Sequence, residues 1–129
     1  MDEYSEIGNL DMSILKNSFN IKTDRVIITK ERVEHIKKRH KNDFELYGKY
    51  MENIISNPDY ILQDIEHVDT VLYLKNIEEL NLQMVIKLQT ENEISKANTV
   101  ITFWKMRKRS YQQIIKKNKI IFKRIDKNE

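Results

Sequence analysis

Ile28-Thr29-Lys30-Glu31-Arg32-Val33-Glu34-His35-Ile36-Lys37-Lys38-Arg39-His40 reads as the end of a strand running straight into a short basic helix. Thr29 stands where an N-cap belongs, and Lys30 and Glu31 open the first turn. At helical spacing Val33, Ile36 and His40 share one face, while Arg32, His35 and Arg39 form a neighbouring stripe. The segment therefore offers a core-facing histidine at its C-terminal end and a histidine–arginine pair beside it. Two of the three histidines of the chain lie here.

On the N-terminal side, Arg25-Val26-Ile27-Ile28-Thr29 is a short strand. Residues 1–20 are weakly patterned: Ile7, Leu10, Ile14 and Leu15 are interrupted by Gly8-Asn9. They read as an N-terminal arm that packs loosely or meets a partner, with residues 21–129 forming one domain. On the C-terminal side, Lys41-Asn42-Asp43 is a polar break. A second helix over Phe44–Ser56, weakened by Gly48, stops at Asn57-Pro58-Asp59 because the residue before proline disfavours helix. Strands follow at Tyr60–Asp64, Thr70–Lys75, Leu82–Gln89 and Thr99–Trp104. Leu82, Met84, Ile86 and Leu88 alternate with polar neighbours, which predicts a half-buried antiparallel strand whose other face stays partly open to solvent or ligand. A basic helix over Lys108–Lys117 and a strand over Lys119–Ile125 close the chain. Helices first and strands later argue α+β, an antiparallel sheet with helices on one face.

Composition narrows the chemistry. The 129 residues contain no cysteine, so disulfides, thiolate metal sites and cysteine nucleophiles are excluded. Only Gly8 and Gly48 are present, so glycine-rich phosphate loops and dinucleotide folds are excluded as well. No apolar run approaches the roughly 18 residues of a membrane span. The acidic start Met1-Asp2-Glu3-Tyr4-Ser5-Glu6 lacks a signal-peptide pattern, which predicts a cytoplasmic protein without membrane partners. The net charge of +3 conceals an asymmetry. Residues 30–42 sum to +4, residues 43–93 to −8 and residues 94–129 to +9, counted on the printed sequence. Two basic segments flank an acidic middle. Brought together in a fold, they make the electrostatic footprint of a polyanion partner; left apart, they are solvated faces.

His35 and His40 stand five apart, so they diverge on a helix and do not make a zinc-protease pair. No metal or other cofactor is expected. What remains is acid–base chemistry by histidine with cations to hold a phosphate, which is all that metal-independent RNA cleavage requires. The competing structural role for His40 is packing at a helix end, and for His35 membership of a basic surface. The second candidate stretch is Thr102-Phe103-Trp104-Lys105-Met106-Arg107-Lys108-Arg109. Here an aromatic plane and a hydroxyl precede a run of cations, the means by which single-stranded RNA is gripped. The alternative is that Phe103 and Trp104 are ordinary core.

Three motifs carry a resemblance. Thr29-x-x-Arg32-x-x-His35-Ile36-x-x-Arg39-His40 is followed by Ile54-Ile55-x-Asn57-Pro58-Asp59-x-Ile61 and then by Val100-Ile101-Thr102-Phe103. Over roughly residues 25–125 the chain resembles the phage-type nucleases of the barnase–EndoU–colicin–RelE superfamily. The resemblance implies one or two N-terminal helices packed on a sheet of about four antiparallel strands. It also implies a metal-independent endoribonuclease that cuts RNA, with tRNA one such target, by attack of the 2′-hydroxyl. Such a protein acts as a toxin or phage effector held by an antitoxin or immunity protein. His35, Arg39 and His40 match the helix motif and Thr102 the strand motif, which makes these four the catalytic candidates, His40 first. Arg32, Trp104, Lys105, Arg107 and Arg109 are the RNA-binding candidates, the last three from charge and position. The alternative is a non-catalytic RNA- or protein-binding module of the same fold.

Overall fold

The computed structural model describes residues 3–91 and 96–125. In chain order its elements are β1 (Tyr4–Asn9), α1 (Met12–Leu15), β2 (Arg25–Thr29), α2 (Lys30–Arg39), α3 (Asp43–Tyr47), α4 (Met51–Ser56), β3 (Tyr60–Gln63), β4 (Thr70–Ile77), β5 (Leu80–Lys87), β6 (Asn98–Met106), α5 (Lys108–Lys117) and β7 (Lys119–Lys123). A single 3-10 turn, Gly48–Tyr50, joins α3 to α4.

The strand-to-helix junction forms as the sequence predicts. The Thr29 hydroxyl accepts a hydrogen bond from the Arg32 backbone N–H at 3.1 Å, satisfying one of the orphan donors of the first turn. Lys37, Lys38 and Arg39 fill the last turn, where cations complement the helix dipole. Ile36 is fully buried and anchors α2 to the sheet.

All strands belong to one sheet in the order β1-β2-β6-β5-β4-β3-β7. The fold is α+β, but the sheet differs from the expected four antiparallel strands: it has seven, and one joint is parallel. Val26 pairs with Asn98 and Ile27 with Thr99 in that parallel joint. Chain order allows it: everything from α2 to β5 is interposed between β2 and β6, which supplies the long connection that a parallel pair needs. β1, β2 and β7 flank the central β6-β5-β4-β3 meander, and of the seven strands only β1 goes unannounced by the sequence. The expected single helix over Phe44–Ser56 is broken into α3, the 3-10 turn and α4 at Gly48.

The expected loose arm over residues 1–20 is instead built into the sheet. Tyr4–Asn9 pairs with β2, and Leu10, Leu15 and Phe19 enter the core. The strand escaped sequence reading because Tyr-Ser-Glu-Ile-Gly-Asn is an edge strand with little apolar surface to bury and no period-two pattern.

The sheet buries its two faces unequally. One face carries Val26, Ile28, Val71, Tyr73, Leu82, Met84 and Ile86, covered by Ile36 of α2 and by Met51, Ile54 and Ile55 of α4. On the other face, Leu62, Leu72 and Leu74 lie under Tyr111, with Ile114 and Ile115 of α5 beside them. A β-bulge sets the register between these layers. Val85 pairs with Thr102 but Ile86 pairs with Val100, so Ile101 is the extra residue. That insertion lets Val100 and Phe103, three apart, both reach the first core.

The parallel joint is held by one side chain. The fully buried Asn98 accepts from the Gln89 N–H at 2.7 Å through Oδ1 and donates through Nδ2 to the Thr23 and Arg25 carbonyls, both at 2.8 Å.

Candidate functional site

α5 covers only the β3–β4–β5 side of the second sheet face. From Val85 across β6 to β2 that face is half-buried and open, and its residues follow from strand alternation: Lys87 on β5, Thr102 and Trp104 on β6 past the bulge, Ile101 at it and Thr99 before it, with Gln83 buried on the same face beside Trp104. The face expected to be open along residues 82–89 is only partly so: Lys87 is exposed, whereas Gln83 and Gln89 are buried.

α2 packs against β6, so the first basic segment meets the start of the second. The contact is made at the end of the helix. His40 lies one residue past the last turn as its C-cap, and its N–H donates to the Ile36 carbonyl at 2.8 Å. There the chain leaves helical geometry, so His40 does not continue the Val33–Ile36 stripe into the core as expected. Its imidazole stacks on the Trp104 indole instead, with ring centroids 4.7 Å apart and planes 10° from parallel. Burial by this packing holds the His40 pKa below its ordinary value. Asp43 is the next influence and opposes that shift, while Arg39 and His35 add to it.

Asp43 is also the hinge that brings the helix end to the strand. Its carboxylate accepts the Lys105 backbone N–H at 3.0 Å. Beyond the short β2 pairing, β6 has an unpartnered edge, and the first residue of α3 supplies the acceptor that a neighbouring strand would otherwise provide. The preceding Asn42 takes a left-handed conformation, φ 74°, to turn the chain between the two helices.

The remaining candidates are distributed as follows. Thr102 shares the open face with Trp104 and is half-buried. Arg32, on the first turns of α2, lines a cleft of about 570 Å³ with Thr29, Glu31, Lys87, Thr99 and Ile101. His35 and Arg39 are exposed on α2. Lys105 alternates to the opposite face, where its ammonium lies 6.0 Å from the Tyr47 ring centroid, so it is not gathered with Trp104. Arg107 is the exposed N-cap of α5, and Arg109 is exposed in its first turn, which carries no acidic residue. Cations there run against the helix dipole.

Sequence reading missed Gln83, Lys87 and Asp43. Gln83 and Lys87 do occupy the polar positions of the alternating strand, and that signal could have found them. Asp43 was read only as part of a polar break. Asp64, Glu66 and His67 place their ligand atoms within 4.8 Å of one another, the one such trio among the described residues. His67 and Asp64 are already paired at 3.5 Å.

Among the described residues no helix is long and apolar enough to cross a membrane. A family model described as phage-Barnase-EndoU-ColicinE5/D-RelE like nuclease2 matches residues 2–123. No curated protein and no solved structure matches the chain.

Proposed function

The chain belongs to the phage-Barnase-EndoU-ColicinE5/D-RelE like nuclease family, and from that premise we propose that it is a metal-independent endoribonuclease centred on His40. The observation that supports this reading most is the His40–Trp104 stack at the rim of an open sheet face. A half-buried imidazole with a lowered pKa is neutral near pH 7 and can accept a proton. An indole beside it gives an unstacked base a surface to lie on.

In the proposed reaction His40 takes the proton from the ribose 2′-hydroxyl. The 2′-oxygen attacks the adjacent phosphorus, the bond to the 5′-oxygen breaks, and that oxygen leaves with a proton from His35 or from solvent. The products are a 2′,3′-cyclic phosphate and a free 5′-hydroxyl. Arg39 and Arg32 offset the charge that develops on the phosphoryl oxygens. Thr102 positions the phosphate from the strand. Arg107 and Arg109, at the start of α5, extend the positive surface along which flanking nucleotides run. Lys105 has the weakest case, because its side chain lies on the other face.

The same positive surface suits an acidic antitoxin or immunity protein, and a toxin or phage-effector role follows from that pairing. The testing experiment is incubation of the protein with total RNA in EDTA beside His40→Ala, with fragment ends mapped. Cyclic-phosphate ends made by the wild-type protein and absent with a folded His40→Ala are expected. Intact RNA that is nonetheless bound by the wild-type protein would replace this reading with a non-catalytic binding module.

A further inference from the structure

One part of the second sheet face forms a half-open pocket. Between Trp104 and α5 lies a cavity of about 250 Å³ whose walls include Gln83, Val85, Trp104, Ile114 and Lys117, with Glu66 at its rim. That is below the roughly 300–1,000 Å³ of drug-sized ligand sites, a size for one ring system and not for a length of chain.

We propose that this cavity is a nucleobase subsite that takes one unstacked base of the RNA, held against Trp104 and read by Gln83 through its N–H donors. The inference rests on the nuclease reading above and names the part of the substrate that this pocket selects.

Three observations carry it. First, His40 occupies one face of the indole, so a stacking partner from the RNA must use the other, and the indole also forms a wall of the cavity. Second, Gln83 is 2% exposed and its Oε1 has no hydrogen-bond partner. An orphan buried acceptor is costly, and a bound N–H removes that cost. The terminal torsion of glutamine is broad and two-fold, so the amide can turn its oxygen to the ligand. Third, the polar lining is divided in kind. Gln83 and the Glu66 and Asp64 carboxylates accept, the Lys117 ammonium donates, and the Asn118 amide is already bonded to the Ile65 N–H and the Ile114 carbonyl. Guanine presents two adjacent N–H donors beside acceptors at O6 and N7, which matches this set, whereas uracil offers one donor between two carbonyls. Val85 and Ile114 supply the apolar flank.

Trp104 is the sole tryptophan of the chain, so its fluorescence reports this pocket directly. The test titrates the full-length protein with guanosine 3′-monophosphate and, separately, uridine 3′-monophosphate, and maps cleavage sites on RNA in parallel. Expected are saturable quenching by the guanosine nucleotide, about tenfold weaker quenching by the uridine nucleotide, and cuts clustered beside guanosines. Gln83→Leu should bring the two nucleotides to equal affinity and spread the cuts, and the exposed Lys117→Ala should weaken guanosine binding several-fold without unfolding the protein. Equal quenching by both nucleotides, or unchanged preference in both variants while RNA is still cut, overturns the base subsite and leaves the nuclease reading standing. Guanosine-selective quenching by a protein that cuts no RNA supports the subsite and overturns the nuclease reading.

Discussion

The imidazole of His40 and the indole of Trp104 lie face to face at 4.7 Å, one carried by the end of α2 and the other by β6. Burial of the imidazole is the largest reason its pKa is lowered, and the indole covers one of its faces. A general base works in its neutral form, so the cleavage rate falls as pH drops through this pKa, and the acidic limb of the wild-type profile is expected below the ordinary histidine value of about 6.5. Trp104→Ala hydrates the ring, raises its pKa and moves the limb to higher pH. A rate–pH profile, with proton NMR titration of His40 in both proteins, checks the sign. A limb that does not move would show that the indole does not set the protonation of His40.

Removing His40 and removing His35 should differ sharply. General acid–base catalysis contributes about 10²–10⁴-fold, and His40→Ala is expected to lose an amount in that range. His35 is exposed, and water can replace it as proton donor, so His35→Ala should lose no more than about tenfold. Single-turnover cleavage of a labelled RNA measures both, with circular dichroism as the check on folding.

The Asn57-Pro58-Asp59 motif ties down the fold and stands apart from the open face. Asp59 accepts from the Asn76 N–H at 2.8 Å and pairs with Arg124 at 3.1 Å, while the Asn57 carbonyl accepts from the Lys75 ammonium at 2.6 Å. These contacts clasp the start of β3 to β4 and to the end of β7. Asp59→Ala should cost about 2 kcal/mol of stability in urea denaturation, mostly from the lost charge-assisted bonds, and leave the cleavage rate of the folded protein unchanged. Loss of rate without loss of stability would reassign the motif to the active site.

Asn98 is the single residue whose loss should be felt most at the parallel joint. It makes three hydrogen bonds, one buried and two part-buried, that tie Gln89 to the chain at Thr23 and Arg25. Asn98→Ala leaves one buried N–H and two carbonyls short of a partner, and about 3 kcal/mol or more of destabilisation is expected. Thermal unfolding reads it, and a shift equivalent to less than about 1 kcal/mol would mean that water replaces the amide.

The β4–β5 hairpin turns on Glu78 and Glu79, both at positive φ, 50° and 72°. Two-residue hairpin loops of this kind favour Asn-Gly, because only such residues enter the left-handed region cheaply. Replacing the pair by Asn-Gly should stabilise the protein by about 1 kcal/mol with no change in activity. Equilibrium denaturation of the double variant tests it.

Local order determined much of this protein. The capped junction from Thr29 into α2, the alternation of Leu82, Met84, Ile86 and Leu88, the stop at Pro58 and the span of α5 are legible because each depends on neighbours within one or two turns or strand positions. Charge counts marked the two basic segments but not their meeting. Tertiary structure decided the rest. Edge strand β1 has too few apolar residues to announce itself, and it exists because β2 offers it hydrogen bonds. The bulge at Ile101 sets which side chains of β6 join Trp104 on its face, and alternation beyond it puts Lys105 on the other side. His40 was legible as a candidate, yet its setting was not: helical periodicity points it at the core, whereas the end of α2 turns it onto an indole 64 positions away. Sequence periodicity describes one element at a time. A site assembled from a helix end, a strand face and a buried amide depends on long-range packing, which no local pattern encodes.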